Sequence, residues 1–283
     1  MRDFLIEPLV RAALLEDIGR GGDLTTDAIV TSGSRVATAQ VRSRRDGVIF
    51  GHAPARLAFA LLDSASEYTV VVNDGERVTA GTCVASICAP AAALLTGERT
   101  ALNFLCRLSG IATATRGLVD LIQDYPAHVV CTRKTTPGLR MLEKAAVVAG
   151  GGRSHRFGLD DAVLIKDNHI ALAGGIAAAV TAARAHVGHL VKVEVEVDTL
   201  DQLREAIDLP IDAVLLDNMD SGQLARAVKL VDGRILTEAS GNITAERIVQ
   251  VAASGVDLIS VGWLTHSAPA LDLGLDIEPT PHR

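Results

Sequence analysis

Hydrophobic and polar positions follow two different rhythms along this chain, and the change falls near residue 110. Before it the pattern is mixed. Residues 7–18 carry Leu9, Val10, Ala13 and Leu14 at helical spacing. Short β-like runs at 36–41, 47–50, 68–72 and 82–87 are separated by turn pairs such as Asp46-Gly47 and Asp74-Gly75. An Ala- and Leu-rich stretch predicts a long helix over 90–107, so this part reads as an α+β unit. Farther on, apolar runs at 128–132, 162–165, 191–197, 213–216, 234–237 and 258–261 predict strands. They alternate with helical stretches at 138–149, 176–186, 199–206, 221–230 and 243–253. Repeated βα units predict an α/β fold with a parallel sheet, either open and doubly wound or closed as a barrel.

Polar residues cluster where those strands end. Arg133 and Lys134 follow the first, Lys166 and Asp167 the second, and Asp217 and Asn218 the fourth. Glu238 to Gly241 end the fifth and Gly262 the sixth, while Glu194 and Glu196 lie in the third. In a barrel such positions converge on one mouth, where active sites lie. Six strands are clear, fewer than a complete barrel has. No Gly-rich dinucleotide fingerprint follows a strand, because Gly150-Gly151-Gly152 comes after a helix.

Composition narrows the options. The 283 residues are 48% hydrophobic and only 3% aromatic, so the core must be built from Ala, Val, Leu and Ile. A net charge of −7 and few stacking rings argue against nucleic acid as a partner. No apolar run is long enough to span a membrane. The acid-broken start, Met1 to Glu7, does not read as a signal peptide. Cys83, Cys88, Cys106 and Cys131 form no CxxC pair and read as buried thiols in a reducing, cytoplasmic setting.

Against that acidic background Arg133, Lys134, His155, Arg156 and Lys166 form a basic cluster that suits a small, multiply anionic ligand. Arg140 and Lys144, on the predicted 138–149 helix, read instead as a solvated face. Glu194 and Glu196 share one face of their strand, with Val191, Val193, Val195 and Val197 on the other. Glu196 with Asp217 could hold Mg²⁺ alongside substrate phosphates, or form a lysine–carboxylate network without metal. Ser240-Gly241 and Gly262 suit a phosphate cup, and Ser240 to Thr244 also suit a helix cap.

Several longer runs resemble the quinolinate phosphoribosyltransferase family. They are Thr132-Arg133-Lys134-Thr135-Thr136-Pro137-Gly138, His155-Arg156, Leu164-Ile165-Lys166-Asp167-Asn168-His169, Glu194-Val195-Glu196-Val197-Asp198, Leu215-Leu216-Asp217-Asn218, Glu238-Ala239-Ser240-Gly241 and Thr265-His266-Ser267. Gly22-Asp23-Leu24-Thr25-Thr26 and Gly97-Glu98-Arg99-Thr100-Ala101-Leu102-Asn103 extend the likeness into the first half. The resemblance implies an N-terminal α+β open sandwich over 1–110, joined by 268–283, and an incomplete, six- to seven-stranded α/β barrel over 111–267. It implies a pentosyltransferase of de novo NAD biosynthesis: quinolinate and phosphoribosyl pyrophosphate giving nicotinate mononucleotide, pyrophosphate and CO₂, with Mg²⁺. It further implies a homodimer or larger assembly in which Arg99 reaches the partner's site. Quinolinate would be clamped by Arg133, His155, Arg156, Lys166 and that Arg99, with Thr132 beside them. Lys134 and Lys166 would hold phosphates, and Glu196 and Asp217 would face ribose and Mg²⁺-pyrophosphate. These four are the expected catalytic residues. Ser240, Gly241, Asn242 and Gly262 would cup the 5′-phosphate near His266. Cys131, Ala145 and Arg153-Ser154 depart from the family's usual residues.

Overall fold

A computed structural model describes residues 2–30 and 36–278. Met1, residues 31–35 and the expected docking of residues 279–283 lie outside them. The chain folds as two compact units. The first comprises Met1–Ala114, Thr136–Gly151 and Ala268–Arg283; the second comprises Thr115–Thr135 and Gly152–Ser267.

The first unit opens with helix α1 (Asp3–Ile18), which buries Ile6, Val10 and Leu14. Leu9 and Ala13, expected on the same face, are only half-buried. Helix α2 (Leu24–Ile29) starts where Asp23 accepts from Thr26 N at 3.0 Å and from Thr26 Oγ1 at 2.7 Å. The Asp-x-x-Thr run is thus a helix N-cap. Next come β1 (Val36–Ser43), β2 (Gly47–Val48), α3 (His52–Ala60), β3 (Glu67–Val70), β4 (Arg77–Val78) and β5 (Cys83–Pro90). The sequence pattern did not anticipate α3. Helix α4 spans Ala91–Leu121, 31 residues rather than the expected stop at 107, so the change of rhythm near 110 falls inside a continuous helix.

The second unit holds β6 (His128–Val130) and, after α5 (Arg140–Ala149) of the first unit, β7 (Val163–Ile165), α6 (Asp167–Ala173), α7 (Ile176–His186), β8 (Val193–Val197) and α8 (Leu200–Ala206). It continues with β9 (Ala213–Asp217), α9 (Ser221–Val231), β10 (Leu236–Ser240), α10 (Ala245–Ala253), β11 (Leu258–Ser260) and α11 (Trp263–His266). Six strands pair in the order β6-β11-β10-β9-β8-β7, all parallel. The order never reverses, so the sheet is not doubly wound. The first strand pairs with the last, as in a barrel, and the ring stays open between β6 and β7. Among the described residues, a bridge from Val130 to Arg153 continues the β6 edge. The last strand, β12 (Leu273–Glu278), returns to the first unit and completes the antiparallel order β12-β1-β5-β3.

Burial corrects two expectations. Lys144 is 2% exposed, and its neighbour Glu143 is fully buried, accepting from Arg107 Nη2 at 2.9 Å and Thr136 N at 2.9 Å. This part of α5 is therefore packed inside the first unit rather than solvated; Arg140 is half-buried. A charged pair survives burial only when hydrogen-bonded in this way. Of the cysteines, Cys131 alone is buried, and the other three are partly exposed.

Candidate active site

Side chains two residues apart on successive barrel strands point to one place. Leu164 and Lys166, Leu215 and Asp217, and Glu238 and Ser240 line a cavity of about 440 Å³, together with Thr132, Arg133, Lys134, His155, Arg156, Glu196 and Ser260. The period of two follows from the strand pleat, and the mouth position from the parallel register that sets Glu196 and Glu238 beside Leu215. A second cavity of about 550 Å³ shares Thr132, Lys134, Asp217, Ser240 and Ser260 with the first, and adds Asn218, Gly241, Asn242, Gly262, Trp263 and His266. Every expected site residue except Arg99 lines one of these two cavities. Arg99 is exposed on α4 in the first unit.

The first cavity is a cationic end. Burial, and then the neighbouring Arg133 guanidinium, depress the pKa of Arg156. Two guanidinium groups held this close in one cavity favour a ligand bearing carboxylates. Arg156 is held in turn by donation from Nη1 to Ala162 O at 3.2 Å. Lys166 forms an ion pair with Glu196 Oε2. The Lys166 backbone N–H also donates to His169 Nδ1 at 2.9 Å, which explains the Lys-Asp-Asn-His run as the start of α6.

Beneath this end lies a cluster that the sequence did not single out. The Arg156 backbone N–H donates to His155 Nδ1 at 2.7 Å, so the ring hydrogen sits on Nε2. That hydrogen faces Glu194 Oε2 at 3.0 Å, with Glu238 Oε2 at 3.5 Å. Among the described residues, these three bring potential metal-ligand atoms within 4.8 Å of one another. A protonated Nε2 serves as a donor there and not as a ligand. Burial, reinforced by the Glu194 carboxylate, pushes Glu238 up to about 7. Glu238, expected at a strand end, instead lies inside β10 at 1% exposure. Extending the Glu194/Glu196 alternation to the neighbouring strands would have found it.

The second cavity is a backbone cradle. Asn218, Gly241 and Asn242 all have positive φ, at 54°, 95° and 51°. A Cβ on Gly241 would lie 2.2 Å from Asn218 Oδ1, so glycine is required. Helix α10 begins at Ala245 with Thr244 at its N-cap, so Ser240 and Gly241 precede the cap and are free to serve the cavity. On the opposite wall Thr265 Oγ1 donates to Lys134 O at 2.8 Å and Lys134 N donates to Thr132 Oγ1 at 3.0 Å, which holds the loop after β6. Asp217 contributes a carboxylate where the cavities meet, and Glu196 contributes one within the first cavity. Each has one oxygen engaged, Glu196 by Lys166 and Asp217 by Asn218 Nδ2 at 2.6 Å. Hard oxygen donors of this kind fit Mg²⁺ that is also coordinated by phosphate and water.

Known proteins share this plan over nearly the whole chain. Residues 23–109 match the family model for the quinolinate phosphoribosyl transferase N-terminal domain, and residues 111–276 match the one for its C-terminal domain. This chain belongs to the quinolinate phosphoribosyl transferase family. It is 44% identical over 277 residues to a probable nicotinate-nucleotide pyrophosphorylase [carboxylating] of Bacillus subtilis, covering 98% of this chain and 95% of the relative. It is 43% identical over 273 residues to the nicotinate-nucleotide pyrophosphorylase [carboxylating] of Mycobacterium leprae, covering 95% of each. The solved nicotinate-nucleotide pyrophosphorylase of Francisella tularensis superposes with a TM-score of 0.93 at 40% identity, covering 98% of both chains. Cys131 Sγ lies 3.8 Å from Ser154 Oγ, and neither residue lines the two cavities.

Proposed function

We propose that the chain transfers the phosphoribosyl group of phosphoribosyl pyrophosphate to quinolinate with decarboxylation, giving nicotinate mononucleotide, pyrophosphate and CO₂ for de novo NAD biosynthesis. The observation that carries this reading is the pair of joined cavities, one cationic and one a backbone cradle, with Asp217 lining both and Glu196 lining the cationic one. Arg133, Arg156 and Lys166 bind the two quinolinate carboxylates, and His155, held between the Arg156 backbone and Glu194, lines the same cavity. Ser240, Gly241, Asn242 and Gly262 hold the 5′-phosphate by backbone N–H groups, with His266 at the edge. Lys134 lines both cavities, as one cation serving both substrates would.

Bound in this way, the pyridine nitrogen faces the ribose carbon and attacks as pyrophosphate leaves, so positioning supplies much of the rate. Positive charge gathers on the ribose in that step, and the Glu196 and Asp217 carboxylates stabilise it. Glu196 and Asp217 are the residues that would hold Mg²⁺, which would supply neutralising charge for the leaving pyrophosphate. The pyridinium that results withdraws electrons from the adjacent carboxylate, which departs as CO₂. The working assembly is a cytoplasmic homodimer in which Arg99 of the partner subunit completes the quinolinate clamp. The purified protein with Mg²⁺, phosphoribosyl pyrophosphate and quinolinate is expected to form nicotinate mononucleotide. Turnover with nicotinate but none with quinolinate would overturn the assignment.

A further inference from the structure

Glu238 has no part in the chemistry described so far, yet it lines the cationic cavity. Its Oε1 is buried and has no hydrogen-bond partner, and its Oε2 lies 3.5 Å from His155 Nε2. The groups that face it are Glu194, His155, Ser260 and Lys166. Little among them compensates a second negative charge. His155 is held as the Nε2–H tautomer and spends its hydrogen on Glu194. Lys166 spends its charge on Glu196. A buried carboxylate with one bare oxygen is costly, whereas the neutral acid stores a proton there at little cost. Burial and the Glu194 charge accordingly raise its pKa to about 7. Ser260 hydrogen-bonds the Glu238 carboxyl, and the bare Oε1 in a substrate cavity leaves the acid free to turn its O–H to the substrate.

We infer that Glu238, as a neutral carboxylic acid, donates the proton that replaces the departing CO₂ on the pyridine ring. The inference rests on the quinolinate reading of the same cavity. When the bond between ring carbon and carboxylate breaks, its electron pair stays on the carbon next to the nitrogen. The Glu238 O–H bond then breaks and a C–H bond forms with that pair. Glu238 is left as a carboxylate and recovers its proton from solvent between turnovers. In its neutral form Glu238 also tolerates a dianionic substrate alongside, which an ionised carboxylate would repel.

The test is a single-turnover experiment on the full-length enzyme with Mg²⁺, phosphoribosyl pyrophosphate and quinolinate, with pyrophosphate and nicotinate mononucleotide measured in the same quenched samples. In Glu238→Gln, pyrophosphate is expected at close to the wild-type rate, while nicotinate mononucleotide lags by roughly 100-fold, the scale of a lost general acid. Glu238→Asp restores part of that loss. Wild-type kcat falls as pH rises above about 7, because the acid form is the active one, and Glu238→Gln lacks this limb. Equal slowing of both products, or no slowing of either, would overturn the inference. If Glu238→Gln does not fold, the wild-type profile decides alone: a kcat that stays flat from about pH 6 to about pH 9 overturns it. A wild-type enzyme that releases no pyrophosphate with quinolinate overturns both this inference and the functional reading, so the two failures are distinguishable.

Discussion

Arg133 and Arg156 show how single residues define this site. Both line the cationic cavity, and the Arg133 charge helps to depress the pKa of Arg156. Removing one should therefore weaken anion binding more than it weakens the fold. Arg133→Ala is expected to lower kcat/KM for quinolinate at least ~10-fold, since a charged hydrogen bond contributes roughly 1.5–3 kcal/mol. An unchanged kcat/KM in steady-state assays would remove Arg133 from the site. Arg133 was legible in the sequence because a cation directly after an apolar strand stands out in an acidic chain, and Arg156 because it belongs to the same basic cluster. Glu238 and Lys144 were not. Both are charged residues whose burial depends on neighbours distant in sequence, and a linear pattern assigns them to strand ends and solvated faces by default.

At the scale of elements, the alternation within β8 was read correctly, since Glu194 and Glu196 do share a face directed to the site. Helix α4 was expected to stop at 107 and runs on to Leu121. Gly110, inside that helix, meets the backbone of residues 269 and 270, and a Cβ there would lie 2.1 Å from Pro269 O. The glycine marks close packing rather than an end. Gly241 marks something different: its φ of 95° shapes the turn between β10 and α10. Gly241→Ala imposes strain of about 1–3 kcal/mol on that turn. It should raise the KM for phosphoribosyl pyrophosphate about ten-fold while leaving the KM for quinolinate within about two-fold of wild type. A rise confined to quinolinate would remove the cradle from phosphate binding.

At the scale of the whole molecule, Arg99 is the expected site residue that is not among the lining of either cavity. If it serves the partner's site, Arg99→Ala and Lys166→Ala subunits should complement. After full exchange, half the dimers are mixed and each carries one intact site of two, so about a quarter of wild-type activity should return. Proven subunit exchange without recovered activity would count against a shared site. The sequence by itself determined the succession of βα units, the positions of the basic strand ends and the glycine turns, because each is written in local periodicity and backbone sterics. Only the tertiary structure decided that the strands wind in one direction with β6 beside β11. It alone returned β12 to the antiparallel sheet and placed Glu238 and Glu194 around His155. Those outcomes depend on pairings between residues far apart in the chain, and their energy comes from burial and from charges brought together, which no local pattern records.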